Sequence, residues 1–523
     1  MHPYQHALET PDKPAMVVAD TGEILTYAQL DAASNRGAQL FRKLGLKPGD
    51  VIAVMLKNGL DYPIAYWSAQ RAGLMTTPVS THLKPAEAAY IVNDCGAKVL
   101  ITGADVGETP RMLAADKAVQ TPGLKKIYTV GDAPLSGAES WNDALAAMPA
   151  TPIPDQVSGF YIPYSGGTTG RPKGIRVPFE SGTIEVEVEM ELNSRRRYEG
   201  INPLVTFNGA PLYHAAPLFS MITTLRCGGT TVVLTRFDAE QTLKAIQDWK
   251  VGYAQMVPTM FARLLALPPQ TRAAYDLSSL KRIVHAAAPC PVEVKKRMLA
   301  WLGPIIEEYY SGSEAIGQTY ITAEEWLKKP GSVGKATWGR VHIASEDGDE
   351  QPPGKEGLIY FEGVKTVEYR NDPEKSAKAR HPKHPNWSTL GDIGYLDEDG
   401  YLFLCDRKDF MIIRGGVNIY PQAIENVLIE HPKVADAAVI GVPSAEFGEE
   451  VKAVIQLKDP ADATRETARD ILAFCRAQVS DVSRPRTVDF VDELPRLPTG
   501  KLAKHEVRRR YWADAAPVAA VRS

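Results

Sequence analysis

Strand-like and helix-like segments alternate through the first hundred residues, and that alternation limits the fold more than any other feature of the chain. In "ILTYAQLDAASNRGAQLFRKLG", Thr26 and Gln29 have the spacing of a capping box at a helix start. Leu30, Ala33, Phe41 and Leu44 recur on one helical face, and Gly45 marks its stop. "VIAVML" reads as a buried strand, and a helix follows over "DYPIAYWSAQRAG". "TTPVS" and "KVLITG" are two more short strands, flanking a helix with Pro85 in its first turn and Gly96 just past its end. Repeats of this kind imply a mostly parallel sheet covered by helices.

The same pattern returns at "RIVHAAA" and "PIIEEYY". Ligands of open α/β sheets sit beyond the carboxyl ends of such strands. "AAAP" (Ala286 to Pro289) and "YYSGSE" (Tyr309 to Glu314) are therefore candidate site walls, or else plain strand-to-helix turns. "TIEVEVEMEL" (183–192) stays open: its alternation suits a strand, while Ile184, Val188 and Leu192 suit a helix.

With 523 residues the chain exceeds one ordinary core. Its character changes after Tyr395. A turn at Asp399–Gly400, a short strand, the charged "DRKD", another strand, a glycine pair and a helix from Pro421 follow. Strands at "VADAAVIGV" and "KAVIQL" come next, then a helix with Ile471, Leu472, Cys475 and Val479 on one face, a strand at "TVDFV", the loop "LPRLPTGK" and a basic helix. The expected fold is α/β: a large N-terminal domain (1–406) of mostly parallel sheets with covering helices, a hinge (407–409), and a small mobile α+β C-terminal domain (410–523).

Composition narrows the function classes. A net charge of −4 leaves no electrostatic footprint for nucleic acid or an anionic membrane. "RRR" at Arg195 to Arg197 and at Arg508 to Arg510 reads as solvated surface. The N-terminus lacks a signal-peptide pattern, and no apolar stretch is long enough to span a bilayer. The five cysteines are scattered, which suits buried thiols in a reducing cytoplasm. "HPKHP" at His381 to Pro385 reads as a surface loop, not a metal site.

One loop stands out. "YSGGTTGRPKG" (Tyr164 to Gly174) is built to hold phosphate, with backbone N–H groups near Gly166, Gly167 and Gly170, hydroxyls on Ser165, Thr168 and Thr169, and the charge of Lys173. It is not the common nucleotide-binding lysine loop, because Pro172 precedes the lysine and Gly174 follows it. No Ser–His–Asp or Cys–His set is needed for the chemistry outlined next.

The loop is followed in order by "PLYHAAP", "AAAP", "YYSGSE", "TLGD", "DRKDFMIIRGGVNIYP" and "LPRLPTGK". Together these motifs span nearly the whole chain and resemble the superfamily of adenylate-forming enzymes, most closely its fatty-acyl and aryl-CoA synthetases. The resemblance implies an AMP-forming acyl-CoA synthetase using ATP, Mg²⁺ and CoA on a hydrophobic carboxylic acid: medium- or long-chain fatty, aromatic, terpenoid or steroid-derived. Acetate fits poorly, since no tryptophan appears in "EYYSGSEA" to close the pocket.

The resemblance also assigns roles. Tyr310 packs on the adenine, whose other face is lined by Ala287, Ala288 and Pro289. Ser313 bonds the α-phosphate, and Glu314 holds Mg²⁺. Asp392 and Arg407 bind the ribose. Lys501 is the catalytic lysine that bridges acyl carboxylate and α-phosphate, and Asp409 is the hinge. Gly415 and Gly416 line a CoA tunnel. His214 stands between the acyl pocket and the thioester site, with Tyr213, Ala286, Tyr309, Ser311, Gly312 and Gly317 as further acyl-pocket positions. Tyr309 replaces a glycine found in many relatives, and "SGSE" departs from their glycine–x–threonine–glutamate while keeping a hydroxyl at Ser313. Transfer to a separate carrier protein, or a silent ligand-binding relative, are the alternatives. A cytoplasmic enzyme is expected, and a homodimer is compatible with it.

Overall fold

The computed structural model describes residues 1–131, 134–165, 172–177, 182–185, 195–363, 366–444, 446–496 and 502–512. Most of the stretch whose strand or helix character stayed open (186–192) lies outside them. The chain divides into two compact units. One comprises Met1–His285, Ile305–Glu307 and Val367–Ala377; the other comprises Ala286–Pro304, Glu308–Thr366 and Lys378–Ser523.

In the first unit, five parallel strands lie in the order Met75–Pro78, Val51–Met55, Ala97–Gly103, Lys126–Val130 and Glu139–Ser140. Every residue of Val51–Met55 is buried, which is why it reads as an unbroken apolar run. The Thr26–Gln29 capping box is formed, and it starts the helix Tyr27–Lys43. That helix also buries Ser34 and Asn35, whose polarity hides them from an apolar periodicity. Asn35 and Asp31 accept hydrogen bonds from the buried guanidinium of Arg71, the Asp31 pair at 2.6 Å.

A second sheet of this unit sets Glu23–Thr26, Pro14–Val18, Thr230–Val233, Val205–Asn208, Tyr253–Met256 and Arg282–His285 side by side. All its pairings are parallel except that of the edge strand Glu23–Thr26. The helix Ala215–Arg226 connects Val205–Asn208 to its parallel neighbour Thr230–Val233.

The second unit is antiparallel where the first is parallel. Residues from Glu308 in Ile306–Ser311 pair with Gln318–Ile321, which pairs with Ser332–Trp338. Leu402–Arg407, Asp392–Leu396, Gly357–Glu362 and Arg340–Ala344 continue the ladder. Beyond Phe410, Ile412–Arg414 pairs with Val417–Ile419 and Gly448–Leu457, which pairs with Val434–Ser444 and, in parallel, with Thr487–Val491. Ile412, Ile424, Leu428, Val439, Ile455 and Ile471 form a core between these strands and the helices Pro421–Ile429 and Arg465–Arg476. The α/β class with parallel sheets early and an α+β C-terminal part is the one expected.

Three expectations need qualification. The "HPKHP" loop is exposed from Pro382 to Pro385, as a surface loop should be, but its first residue, His381, is buried: its Nδ1 accepts from the backbone N–H groups of Lys383 and His384, both at 3.1 Å. Trp387 organises the region, with the rings of His342 and His384 stacked against it at 3.7 and 4.1 Å. Only Cys95 and Cys475 are fully buried, and the other three thiols are half-buried. Arg508 is more than a solvated charge, since it donates to Glu449 at 2.6 Å and covers the Trp512 ring. Among the described residues no three histidine, cysteine or carboxylate groups stand together as metal ligands, and no helix is long and apolar enough to cross a membrane.

Candidate active site

The clearest polar cluster is built at strand ends of the second unit. Asp392 opens the strand Asp392–Leu396, and Arg407 closes its antiparallel neighbour, directly opposite. One carboxylate oxygen of Asp392 accepts from Arg407 Nε at 3.1 Å, and the other accepts from Tyr310 Oη at 2.6 Å. Tyr310 stands on the strand Ile306–Ser311, and its ring lies 6.0 Å from that of Phe361. Burial, then the Asp392 charge, pushes the Tyr310 phenol well above its ordinary pKa, so it stays a neutral donor. Burial disfavours the Arg407 charge, but Asp392, Tyr310, Glu314 and Asp409 outweigh it and raise its pKa. Tyr310, Glu314, Asp392 and Arg407, expected at one nucleotide site, thus share an electrostatic neighbourhood with the expected hinge residue Asp409.

The turn around Glu314 is tight. A Cβ on Gly312 would meet the Leu390 side chain at 2.5 Å and Glu314 Oε2 at 2.7 Å, so a larger residue here would push both side-chain ends aside. Ser311 Oγ donates to the Gly317 carbonyl at 2.7 Å, and Phe361 fills the space where a Gly317 side chain would stand. Tyr309 lies across from Tyr320 in the ladder. In the "AAAP" wall, Ala286 is buried and Ala287 holds φ at +77°, a left-handed conformation unusual for a residue with a Cβ. Glu314 adds a carboxylate, a hard oxygen donor that suits Mg²⁺, an ion commonly held by one carboxylate, waters and substrate phosphates.

In the first unit, the phosphate-type loop has a defined footing. Tyr164–Ser165 pairs with Lys173–Gly174, which sets Ser165 opposite Lys173. Tyr164 Oη donates to Asp94 at 2.5 Å, and Arg370 Nε donates to the Asp94 carbonyl at 3.1 Å. A Cβ on Gly174 would strike the Tyr164 ring at 2.7 Å, so this glycine is required by packing. Lys173 Nζ lies 5.6 Å from the Tyr369 ring centroid. Gly166, Gly167, Thr168, Thr169 and Gly170 lie outside the described residues, as does Lys501.

His214 caps the helix Ala215–Arg226 in extended backbone conformation, with its ring edge-on to Tyr213 at 4.6 Å. A residue unremarked in the sequence fixes this segment: Asn58 accepts from Leu212 N at 2.8 Å and donates to the Leu234 carbonyl at 3.0 Å. A lone asparagine in "KNGL" carries no signal of that role. Gly415 and Gly416, at φ +56° and +82°, form the two-residue turn of the hairpin Ile412–Arg414/Val417–Ile419. Lys504, Glu425 and Asp406 were also missed. Buried Lys504 lies 2.9 Å from Glu425 and 3.7 Å from Asp406, three residues past Lys501.

Comparison with known proteins shows the family of the chain. A family described as AMP-binding enzyme matches residues 4–368, and its C-terminal domain matches residues 423–501. The chain belongs to this family, the adenylate-forming enzymes. It is similar to the long-chain-fatty-acid–CoA ligase FadD13 of Mycobacterium tuberculosis, 30% identical over 97% of each chain. It is also similar to a feruloyl-CoA synthase of an Amycolatopsis species, 33% identical over 95% of this chain and 96% of the relative. The structure of the anthranilate CoA ligase AuaEII with anthranoyl-AMP superposes with a TM-score of 0.81 at 26% identity, covering 98% of this chain and 97% of that one. Within the family, the chain is of the acyl-CoA ligase type, an ATP-dependent enzyme class.

Proposed function

We propose that the protein activates a hydrophobic carboxylic acid through an acyl-adenylate and passes the acyl group to CoA. The observation that carries this reading is the Tyr310–Asp392–Arg407 cluster with Glu314 beside it. Its aromatic face, paired acceptor and donor, and nearby carboxylate suit the adenine, ribose hydroxyls and phosphates of one nucleotide.

In the first half-reaction the acid's carboxylate attacks the α-phosphate of ATP, and pyrophosphate leaves. Two anions are forced together, so positioning and positive charge carry the rate. Lys501 bridges the reacting anions, Ser313 bonds the α-phosphate, and the loop ending in Lys173 grips the β- and γ-phosphates. Mg²⁺ held at Glu314 would neutralise phosphate charge. In the second half-reaction the small domain turns about Asp409, the hairpin at Gly415 and Gly416 lines the path of CoA, and its thiolate displaces AMP. A free thiol with a pKa of about 8.5 is already partly ionised near neutrality, so no strong general base is required.

The test scores a panel of fatty, aromatic and terpenoid acids for AMP and thioester formation with and without CoA. CoA-dependent AMP release with stoichiometric thioester is expected. AMP formation that ignores CoA and yields no thioester would sink the CoA-ligase reading in favour of another acceptor.

A further inference from the structure

A buried ion pair lies among the elements of the nucleotide cluster, and none of the roles above uses it. Lys295 Nζ stands 2.7 Å from Glu308 Oε2, with the two side chains only 0% and 7% exposed. The Trp326 ring, itself buried, covers the ammonium at 4.8 Å from its centroid. Burial pushes the Glu308 carboxyl up, and the charge and hydrogen bond of Lys295 oppose that shift. A buried pair often adds no stability over apolar residues of similar volume, so its presence calls for another explanation.

Its two ends belong to the two walls expected to face adenine. Glu308 stands on the strand Ile306–Ser311, two residues before Tyr310 and so on the same face of that strand. Lys295 stands in the first turn of the helix Val292–Leu302, where its backbone N–H donates to the carbonyl of the N-cap Pro291 at 3.1 Å. Only Cys290 separates Pro291 from the wall Ala287–Pro289, and the charges of Glu308 and Lys295 both act on the Cys290 thiol. Ala287 in that wall holds φ at +77°, a conformation that persists only where its surroundings over-determine it. A direct side-chain bond therefore runs from the helix that continues one wall to the strand that carries the other. All of these residues lie within the second compact unit.

We propose that Lys295 and Glu308 are positioning residues for the nucleotide, setting the distance between the Ala287–Pro289 wall and Tyr310. They act through the backbone segments that they tie together. Slack between the two walls loosens the slot for a flat base, so it weakens ATP binding and leaves the chemical step alone. This inference rests on the nucleotide-site reading above and deepens it.

Pyrophosphate release and thermal melting of the double variant Lys295→Met/Glu308→Leu test it. Apolar groups replace the whole pair there, so the unfolding midpoint should stay close to that of the wild type. The KM for ATP should nevertheless rise about tenfold, while kcat and the KM for the best acid stay within about twofold. A folded double variant with the wild-type KM for ATP overturns the proposal and leaves the pair a packing feature. A loss spread over ATP, acid and kcat alike also overturns it, since that marks general loosening. If the double variant does not fold, Glu308→Asp decides, because it keeps both charges and shortens the arm by one methylene. The same selective rise in the KM for ATP supports the proposal there, and an unchanged or unselective result overturns it. A wild type that releases no pyrophosphate with any acid refutes the nucleotide-site reading as well, whereas an unchanged variant refutes this inference alone.

Discussion

Asp392 accepts from a phenol and a guanidinium at once, and its charge holds both in place. Asp392→Asn keeps the shape but removes the charge, so Arg407 loses its main stabilising partner. The expected outcome is a KM for ATP raised about tenfold with little change in unfolding midpoint, read by pyrophosphate release and thermal melting. A second residue, Asp61, carries a stability cost. Burial lifts its pKa from 3.8 to about 6 at the start of the helix Asp61–Arg71. Because the folded state holds the proton more tightly, Asp61 destabilises the fold progressively as pH rises from about 4 to about 6, and fully above that. Asp61→Asn should therefore raise stability at neutral pH by on the order of 2 kcal/mol, with no gain below pH about 4; denaturant titration across that range checks it. Asp392 and Arg407 were legible because motifs flank them. Asn58 was not: its partners at Leu212 and Leu234 lie far along the chain, so in sequence it looks like any loop asparagine.

The helix Lys504–Trp512 is tied down by a buried cation between two carboxylates. Burial works against the Lys504 charge, but Glu425 and Asp406 more than offset it and raise its pKa; burial pushes the Glu425 carboxyl up. Removing one member of such a set leaves buried charge uncompensated, so Lys504→Met should cost about 3–5 kcal/mol of stability. Adding Glu425→Leu should recover part of that loss, and a double variant no more stable than the single one would contradict this account. Elements with long apolar periods were readable: the parallel strands, the capped helices and the late α+β unit. The antiparallel ladder from Gln318 to Glu362 was not, since its strands carry charged and aromatic residues in short alternations. His342 shows why, sitting buried in mid-strand only because Glu350 and Glu362 bond its two ring nitrogens at 2.6 and 2.9 Å.

At the scale of the molecule, the two half-reactions should separate genetically. Lys501→Ala is expected to abolish adenylate formation yet still convert a supplied acyl-adenylate to thioester. Asp409→Pro is expected to do the reverse, sparing pyrophosphate release and blocking thioester formation, and equal loss of both steps in either variant would refute the division of labour. A last consequence comes from the ladder that opposes Asp392 to Arg407. Its register already shifts once, between Ile393 and Gly394. Side chains alternate faces along a strand, so removing one residue from 402–405 would turn Arg407 away from Asp392. Every motif letter would survive such a deletion while the nucleotide site came apart. Part of what this chain recognises is written in its spacing, which a comparison of letters passes over and a single-codon deletion would expose.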